Sequence, residues 1–179
     1  MTMKPSAPLT GFVKAYESLH DGDLKKIGLQ PKVCPAGYWT EGYGRVLLDH
    51  SGKMIKYSSK YSTIESVMPF ATINTEAEAA ADLAKGLELK AVDVRKWLKI
   101  PVSQNQFDAL VSHAYNCGYS STMYKLVNGG APESEIKRWF TTKYITAGGK
   151  FMLGLQYRRN DEYEMWLKGD YKRDYKRSI

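Results

Sequence analysis

The chain has 179 residues, 43% of them apolar and 25% charged, with a formal charge of +7 at pH 7 and only two cysteines. Such a composition belongs to an ordinary globular protein and excludes a disordered chain, a disulfide framework and a local zinc cluster. No apolar run approaches the roughly 20 residues of a membrane span, and the first ten residues lack the apolar core of a signal peptide, so synthesis in the cytoplasm without a leader is expected.

Leu9, Phe12, Val13 and Tyr16 have the i, i+3, i+4, i+7 spacing of an amphipathic helix, predicted to stop near Asp21-Gly22 with glycine as its C-cap. Glu17 then falls in the last turn or two. A carboxylate there faces the negative pole of the helix dipole, which suits a proton donor, while a solvated glutamate at a helix edge is the plainer alternative. Asp23 to Val33 reads as a polar loop or short strand. From Cys34 to Arg45, three glycines and a Pro-Ala-Gly turn describe a tight turn feeding a glycine-rich strand, where a ligand or another backbone comes close. Tyr38 to Leu48 is predicted as strand, Asp49 to Lys53 as a turn, and Met54 to Tyr57 as the return strand of a small antiparallel sheet. Ser58 to Thr72 has no clean period and is expected to wrap that sheet with one helical turn.

Thr75-Glu76-Ala77-Glu78 is a capping box, and helical spacing then holds through Leu98 until Pro101 intervenes. This helix should be about 35 Å long at 1.5 Å per residue. Ser103-Gln104-Asn105-Gln106 opens another, with Phe107, Leu110, Val111 and Ala114 on its apolar face and Gly118 at its end. Shorter helices are predicted near Thr122 to Val127, from Pro132 at the first helical position through Phe140, and from about Gly154 to Lys168. The expected fold class is therefore α+β and mainly helical. We expect one domain over 1–179, with a β-containing lobe over about 23–72, a connecting helix over about 75–98, and a helical lobe of about 99–179 joined by helix 9–21. Two lobes joined in this way leave a cleft, a favoured place for substrate.

His20, His50 and His113 fall in unrelated segments, which gives no support to a histidine metal site or triad, and His113 is expected to be packed in the core. Cys34 and Cys117 are expected as free thiols. Trp39, Trp97, Trp139 and Trp166 are expected in the core. Lys168 to Arg177 concentrates positive charge, as a fraying solvated tail or as a site for polyanions.

Glu17, Cys34 and Thr40, together with the run Thr40-Glu41-Gly42-Tyr43-Gly44, resemble the phage-type lysozymes. These muramidases carry a helix-borne Glu, then Asp or Cys, then Thr six residues later in a Thr-Ile-Gly-Tyr-Gly-His run. The resemblance extends to Gln106-Phe107-Asp108-Ala109-Leu110, to Tyr115-Asn116-Cys117-Gly118, and to Gly154-Leu155-Gln156-Tyr157-Arg158-Arg159 near the end. It implies a lysozyme-like fold with no cofactor and no metal, acting on bacterial peptidoglycan at the β-1,4 bond from N-acetylmuramic acid to N-acetylglucosamine. Glu17 would be the general acid, and Thr40 and Cys34 would position the attacking water. Val46 and Thr122 are carried as substrate-binding residues by resemblance alone. Tyr115 would line the saccharide groove or pack the core, and Asn116 would bond a sugar acetamido group or cap its helix. Arg158, a cation in the first turn of its helix, calls for an anion: Glu17 by resemblance, or Glu162 locally.

An endolysin of this kind is expected as a monomer, made in the host cytoplasm and released to the wall with a holin, with no nucleic-acid partner. Three features depart from the pattern. Sixteen residues separate Glu17 from Cys34, more than the family's usual spacing, so the loop Ser18 to Val33 is extended, and Glu41 and Arg45 replace the usual Ile and His. By strand alternation Glu41 points away from Thr40 and is expected to pair with Arg45 or a lysine. A thiol is also a poorer base than a carboxylate, so Cys34 is expected to orient water rather than deprotonate it. These departures motivate an alternative, a catalytically weak saccharide-binding protein on the same fold.

Overall fold

The computed structural model describes residues 2–174. Among them the chain forms seven α-helices and two small antiparallel sheets, an α+β fold dominated by helix. It divides into two compact units: Glu17–Lys85, and the segment before it together with everything from Gly86 onward. No helix among the described residues is long and apolar enough to cross a membrane.

The sheet unit is built on β1 (Lys32–Val33), β2 (Trp39–Glu41) and β3 (Arg45–Val46), antiparallel in that order. Lys32 pairs with Thr40, Val33 with Trp39, Thr40 with Val46, and Glu41 with Arg45. Trp39, Leu47, Ile55 and Val67 form its core, and the Trp39 indole N–H donates to the Tyr61 carbonyl at 3.0 Å. The segment that wraps the sheet contains α2 (Ile64–Val67), started by a capping box between Thr63 and Ser66, and one 3₁₀ turn at Met68–Phe70. The division falls within α3 (Glu76–Trp97), whose own capping box joins Thr75 and Glu78.

In the helical unit, α1 (Ala7–Glu17), α4 (Gln104–Cys117), α5 (Ser121–Asn128), α6 (Glu133–Thr142) and α7 (Leu153–Lys168) enclose a core that includes Phe12, Phe107, Leu110, Met123, Phe140 and Met165. Packed between α4 and α7 is a charged knot. Glu162, fully buried, lies 3.3 Å from Arg158 Nε and 2.8 Å from Arg159 Nε, and it accepts from Ser112 Oγ at 2.7 Å. This supplies the local anion for the two arginines, which lie in the second turn of α7 rather than the expected first, because the helix already starts at Leu153. His113 sits beside them, walled by Trp139, Phe140 and Tyr144 as its apolar surroundings led us to expect. Burial, and secondarily the charges of Arg159 and Arg158, push its pKa down to about 2, so the ring is neutral.

Several elements depart from the expected pattern for local reasons. Helix α1 stops at Glu17, because Ser18 takes a left-handed conformation at φ 59°. Gly22 is therefore no C-cap. It lies where an added Cβ would come within 2.1 Å of the Pro31 carbonyl, and its N–H donates to Gln30, so it serves close chain approach. Tyr38 to Leu48 is not one strand but a hairpin, folded at Gly42 and Gly44. The return segment after it pairs only through single bridges, Tyr38 with Lys56 and Leu48 with Met54. Pro132 takes the N-cap position, one residue before the helix. The second half is not wholly helical: β4 (Thr146–Ala147) and β5 (Lys150–Phe151) form a hairpin across Gly148 and Gly149, both at positive φ as such two-residue turns require. The start of the basic tail is held down: Tyr171 donates to Asp108 at 2.7 Å, and Arg173 bonds the Ala15 carbonyl and covers the Tyr16 ring. Lys176 and Arg177 lie outside the described residues. Three tryptophans are buried as expected, while Trp97 is only partly so.

Removing Glu162 leaves two arginines in an interior that cannot solvate them. Glu162→Ala should cost about 3–5 kcal/mol in urea unfolding, well above the cost of an exposed ion pair. His113 predicts an acid limb. Its folded form binds no proton near neutrality while the unfolded form does, so stability should fall as pH drops below about 6.5, by at most about 1.4 kcal/mol per pH unit. His113→Gln should flatten that limb in urea titrations between pH 7 and 5.

Candidate active site

The β2–β3 hairpin turns over Gly42-Tyr43-Gly44, with Gly42 at φ 56° and Gly44 at φ 90°, conformations that glycine adopts without steric penalty. Its tip is tightly seated. A Cβ on Gly42 would meet the Ile73 side chain at 2.9 Å and Ala79 at 3.3 Å, and the Tyr43 hydroxyl donates to Glu76 at 3.1 Å. The hairpin is pinned from one side by Glu41, 1% exposed, whose carboxylate accepts from the backbone N–H groups of Thr72 and Ile73, each at 2.9 Å, and from Arg45 Nε at 3.1 Å. Arg45 also reaches Asp82 at 3.0 Å. The Glu41–Arg45 pair expected from strand alternation is present, and the carboxylate additionally clamps the segment leading into α3.

Thr40 faces the other way. Its hydroxyl donates to the Lys32 carbonyl at 2.9 Å and lies 2.6 Å from Nδ1 of His20. The His20 backbone N–H in turn donates to the Gly42 carbonyl at 2.8 Å, laying the extended loop alongside the hairpin as an antiparallel bridge. Burial lowers the pKa of His20, the Lys32 charge lowers it further, and Glu17 opposes both. The ring is therefore neutral at pH 7.

Glu17, the last residue of α1, is partly buried, and its carboxylate comes so near the hairpin that a Cβ on Gly44 would sit 3.4 Å from Oε2. Gly44 is required there by its backbone, at φ 90°, rather than by lack of space. Cys34 follows β1 directly and is half-buried. Its N–H donates to the Tyr38 carbonyl, and its own carbonyl accepts from Gly37, closing the Pro-Ala-Gly turn. Because Lys32 pairs with Thr40 and Cys34 stands opposite Tyr38, alternation puts Cys34 and Thr40 on the same face of the ribbon. The sheet unit thus holds Glu17 against the glycine hairpin and Cys34 and Thr40 on one face of the adjoining ribbon, with Val46 paired to Thr40 in β3.

The remaining predicted residues belong to the helical unit. Tyr115 of α4 is half-buried against Gly86, where an added Cβ would approach its ring to 3.0 Å. Asn116 is exposed, and its Oδ1 accepts from Arg159 at 3.1 Å. Neighbouring Cys117 accepts a hydrogen bond from Arg159, yet burial pushes its thiol pKa up. Thr122 is exposed at a groove of ≈ 360 Å³ shared with Arg138, Trp139 and Lys143. Arg158 is spent partly on Glu162 and lies over the Tyr16 ring at 5.3 Å. No group of three or more potential metal ligands occurs among the described residues.

Two participants were not recognised from the sequence. His20 stands three residues after Glu17, but its contact with Thr40 depends on the loop folding back, for which no local pattern exists. The clamp between Glu41 and the Thr72–Ile73 backbone likewise joins segments some thirty residues apart.

The chain matches the family model described as phage lysozyme over residues 24–162. That span includes Cys34 and Thr40 and begins after Glu17. The chain is 32% identical over 166 residues to an endolysin of Bacillus phage B103, covering 90% of this chain and 53% of that protein. It therefore spans about half the length of that relative. It is 30% identical over 157 residues to a SAR-endolysin of Enterobacteria phage P21, covering 84% of this chain and 81% of the other. Among solved structures, the endolysin from Escherichia coli O157:H7 phage FAHEc1 superposes with a TM-score of 0.72 at 27% identity, over 96% of this chain and 98% of that one, so the fold is lysozyme-like. A match across most of the sequence, and relatives similar over most of its length, show that the chain belongs to the phage lysozyme family.

Proposed function

We propose that the chain is a muramidase, a peptidoglycan hydrolase that cuts the β-1,4 bond from N-acetylmuramic acid to N-acetylglucosamine at the bacterial cell wall. The observation that carries this reading is the approach of the Glu17 carboxylate to Gly44, on the hairpin that also bears Thr40, in a chain of the phage lysozyme family. In this mechanism Glu17 protonates the leaving glycosidic oxygen. A water held at Thr40 and Cys34 attacks the anomeric carbon from the opposite face and gives up its proton to solvent as the bond forms, the inverting arrangement in which the two sets of groups stand about 6.5–9.5 Å apart. Cys34 orients that water rather than deprotonating it. Val46, Tyr115, Asn116 and Thr122 contact saccharide, and Arg158 supports the site from the buried charge cluster. The chain works as one lysozyme-like domain and a monomer, made in the host cytoplasm and given access to the wall by a holin.

One observation favours a second reading, a saccharide-binding protein with little turnover. Thr40 is only 3% exposed and already engaged by two neighbours, which limits what it offers a water.

The two readings separate on products. Mass spectrometry of digested cell wall should reveal muropeptides with a new N-acetylmuramic acid reducing end. Binding to peptidoglycan without released muropeptides would leave the second reading standing. Glu17→Gln should reduce clearing by several orders of magnitude while the far-UV CD spectrum stays unchanged, and a variant that clears normally would refute the acid assignment. Cys34→Ser, which keeps a group able to hold water, should retain measurable lysis; complete loss with an intact fold would mean that the thiol acts as base or nucleophile.

A further inference from the structure

Resting on the reading that Thr40 holds the attacking water, we infer that His20 is a positioning residue: its Nδ1–H locks the Thr40 hydroxyl as a hydrogen-bond acceptor toward that water. A threonine hydroxyl has one proton and two lone pairs. The proton goes to the Lys32 carbonyl, which can only accept, at 2.9 Å. Nδ1 of His20, 2.6 Å from the same oxygen, must therefore be the donor, which fixes the ring as the Nδ1–H tautomer. One lone pair remains. A freely rotating threonine could donate to a water and turn the water's own lone pair away from the sugar. With its proton committed, Thr40 can only accept from the water, which leaves a water lone pair free for the anomeric carbon.

The surroundings hold this arrangement in place. Thr40 is nearly inaccessible, so its proton has few alternatives to the Lys32 carbonyl, and the His20 backbone is tied to Gly42 at 2.8 Å. The Nδ1 donor persists whether the ring is neutral or charged. The extended loop Ser18 to Val33 thereby acquires a purpose, since it carries a side chain to the hairpin that must orient the water.

The test is steady-state kinetics on purified peptidoglycan with His20→Ala, His20→Asn, His20→Gln, Thr40→Ala and the His20→Ala/Thr40→Ala double variant. His20→Ala should lower kcat about tenfold to a hundredfold with KM nearly unchanged. The amide nitrogen of asparagine takes the place of Nδ1 and should restore most of the rate, whereas that of glutamine lies near Nε2 and should not. The double variant should be no slower than Thr40→Ala alone, because nothing is left to position. Equal rescue by Asn and Gln, an unimpaired His20→Ala, or additive losses in the double variant would overturn the inference. The Asn and Gln pair decides the matter even where His20→Ala folds poorly. A fully active Thr40→Ala would instead overturn the underlying reading of Thr40, an outcome distinct from the failure of His20 alone.

Discussion

The buried carboxylate of Glu41 is the constraint from which the arrangement of the sheet unit follows. A charge so far from water is tolerated only when hydrogen bonds and an opposite charge replace its hydration. Here two backbone N–H groups and one arginine do so, and they come from different places: Thr72 and Ile73 from the segment entering α3, Arg45 from the facing strand. Satisfying Glu41 thus joins three pieces of chain at one point. The hairpin between Glu41 and Arg45 is left with a three-residue turn that only glycines at both ends allow, and its close packing against Ile73 and Ala79 leaves it little room to move. Thr40, the next residue along, is directed to the opposite face by the same pleat.

The helical unit depends on a comparable charged knot, with two arginines and one glutamate between α4 and α7. The cationic excess is shared outward, from Arg158 to the Tyr16 ring and from Arg159 to Asn116 and Cys117. Residues that the family resemblance marks for saccharide contact therefore also belong to the scaffolding of the interior. Asn116 illustrates the overlap: its carbonyl oxygen serves Arg159, which leaves the amide protons as what it can offer a sugar.

Features set by neighbours along the chain were legible in the sequence. The capping boxes at Thr75 and Ser103 and the left-handed glycine after Lys168 mark helix ends through contacts three or four residues long, and the helices begin and stop within a residue or two of them. Strand alternation was enough to pair Glu41 with Arg45. Legibility failed where long-range packing decided the outcome. Gly22 resembles a helix terminator by position, but close approach to Pro31 is what uses it, and Gly42 and Gly44 turn the backbone where their spacing suggested a continuous strand. For the site, the resemblance marks Glu17, Cys34 and Thr40, and the fold sets Glu17 against Gly44 and puts Cys34 and Thr40 on one face of the β1–β2 ribbon. His20 lay beyond both routes, because its partner is twenty residues away and its segment is longer than the family pattern.

The burial of Cys117 bears on how the helical interior meets oxidants. Disulfide exchange and alkylation proceed through the thiolate. Burial holds Cys117 in its protonated form despite the adjacent guanidinium, so that sulfur is a slow nucleophile. Cys117 is therefore a slow partner in mixed-disulfide formation, although it is only partly buried. The charged cluster of the helical interior, to which that sulfur is hydrogen-bonded through Arg159, is thereby shielded from oxidants.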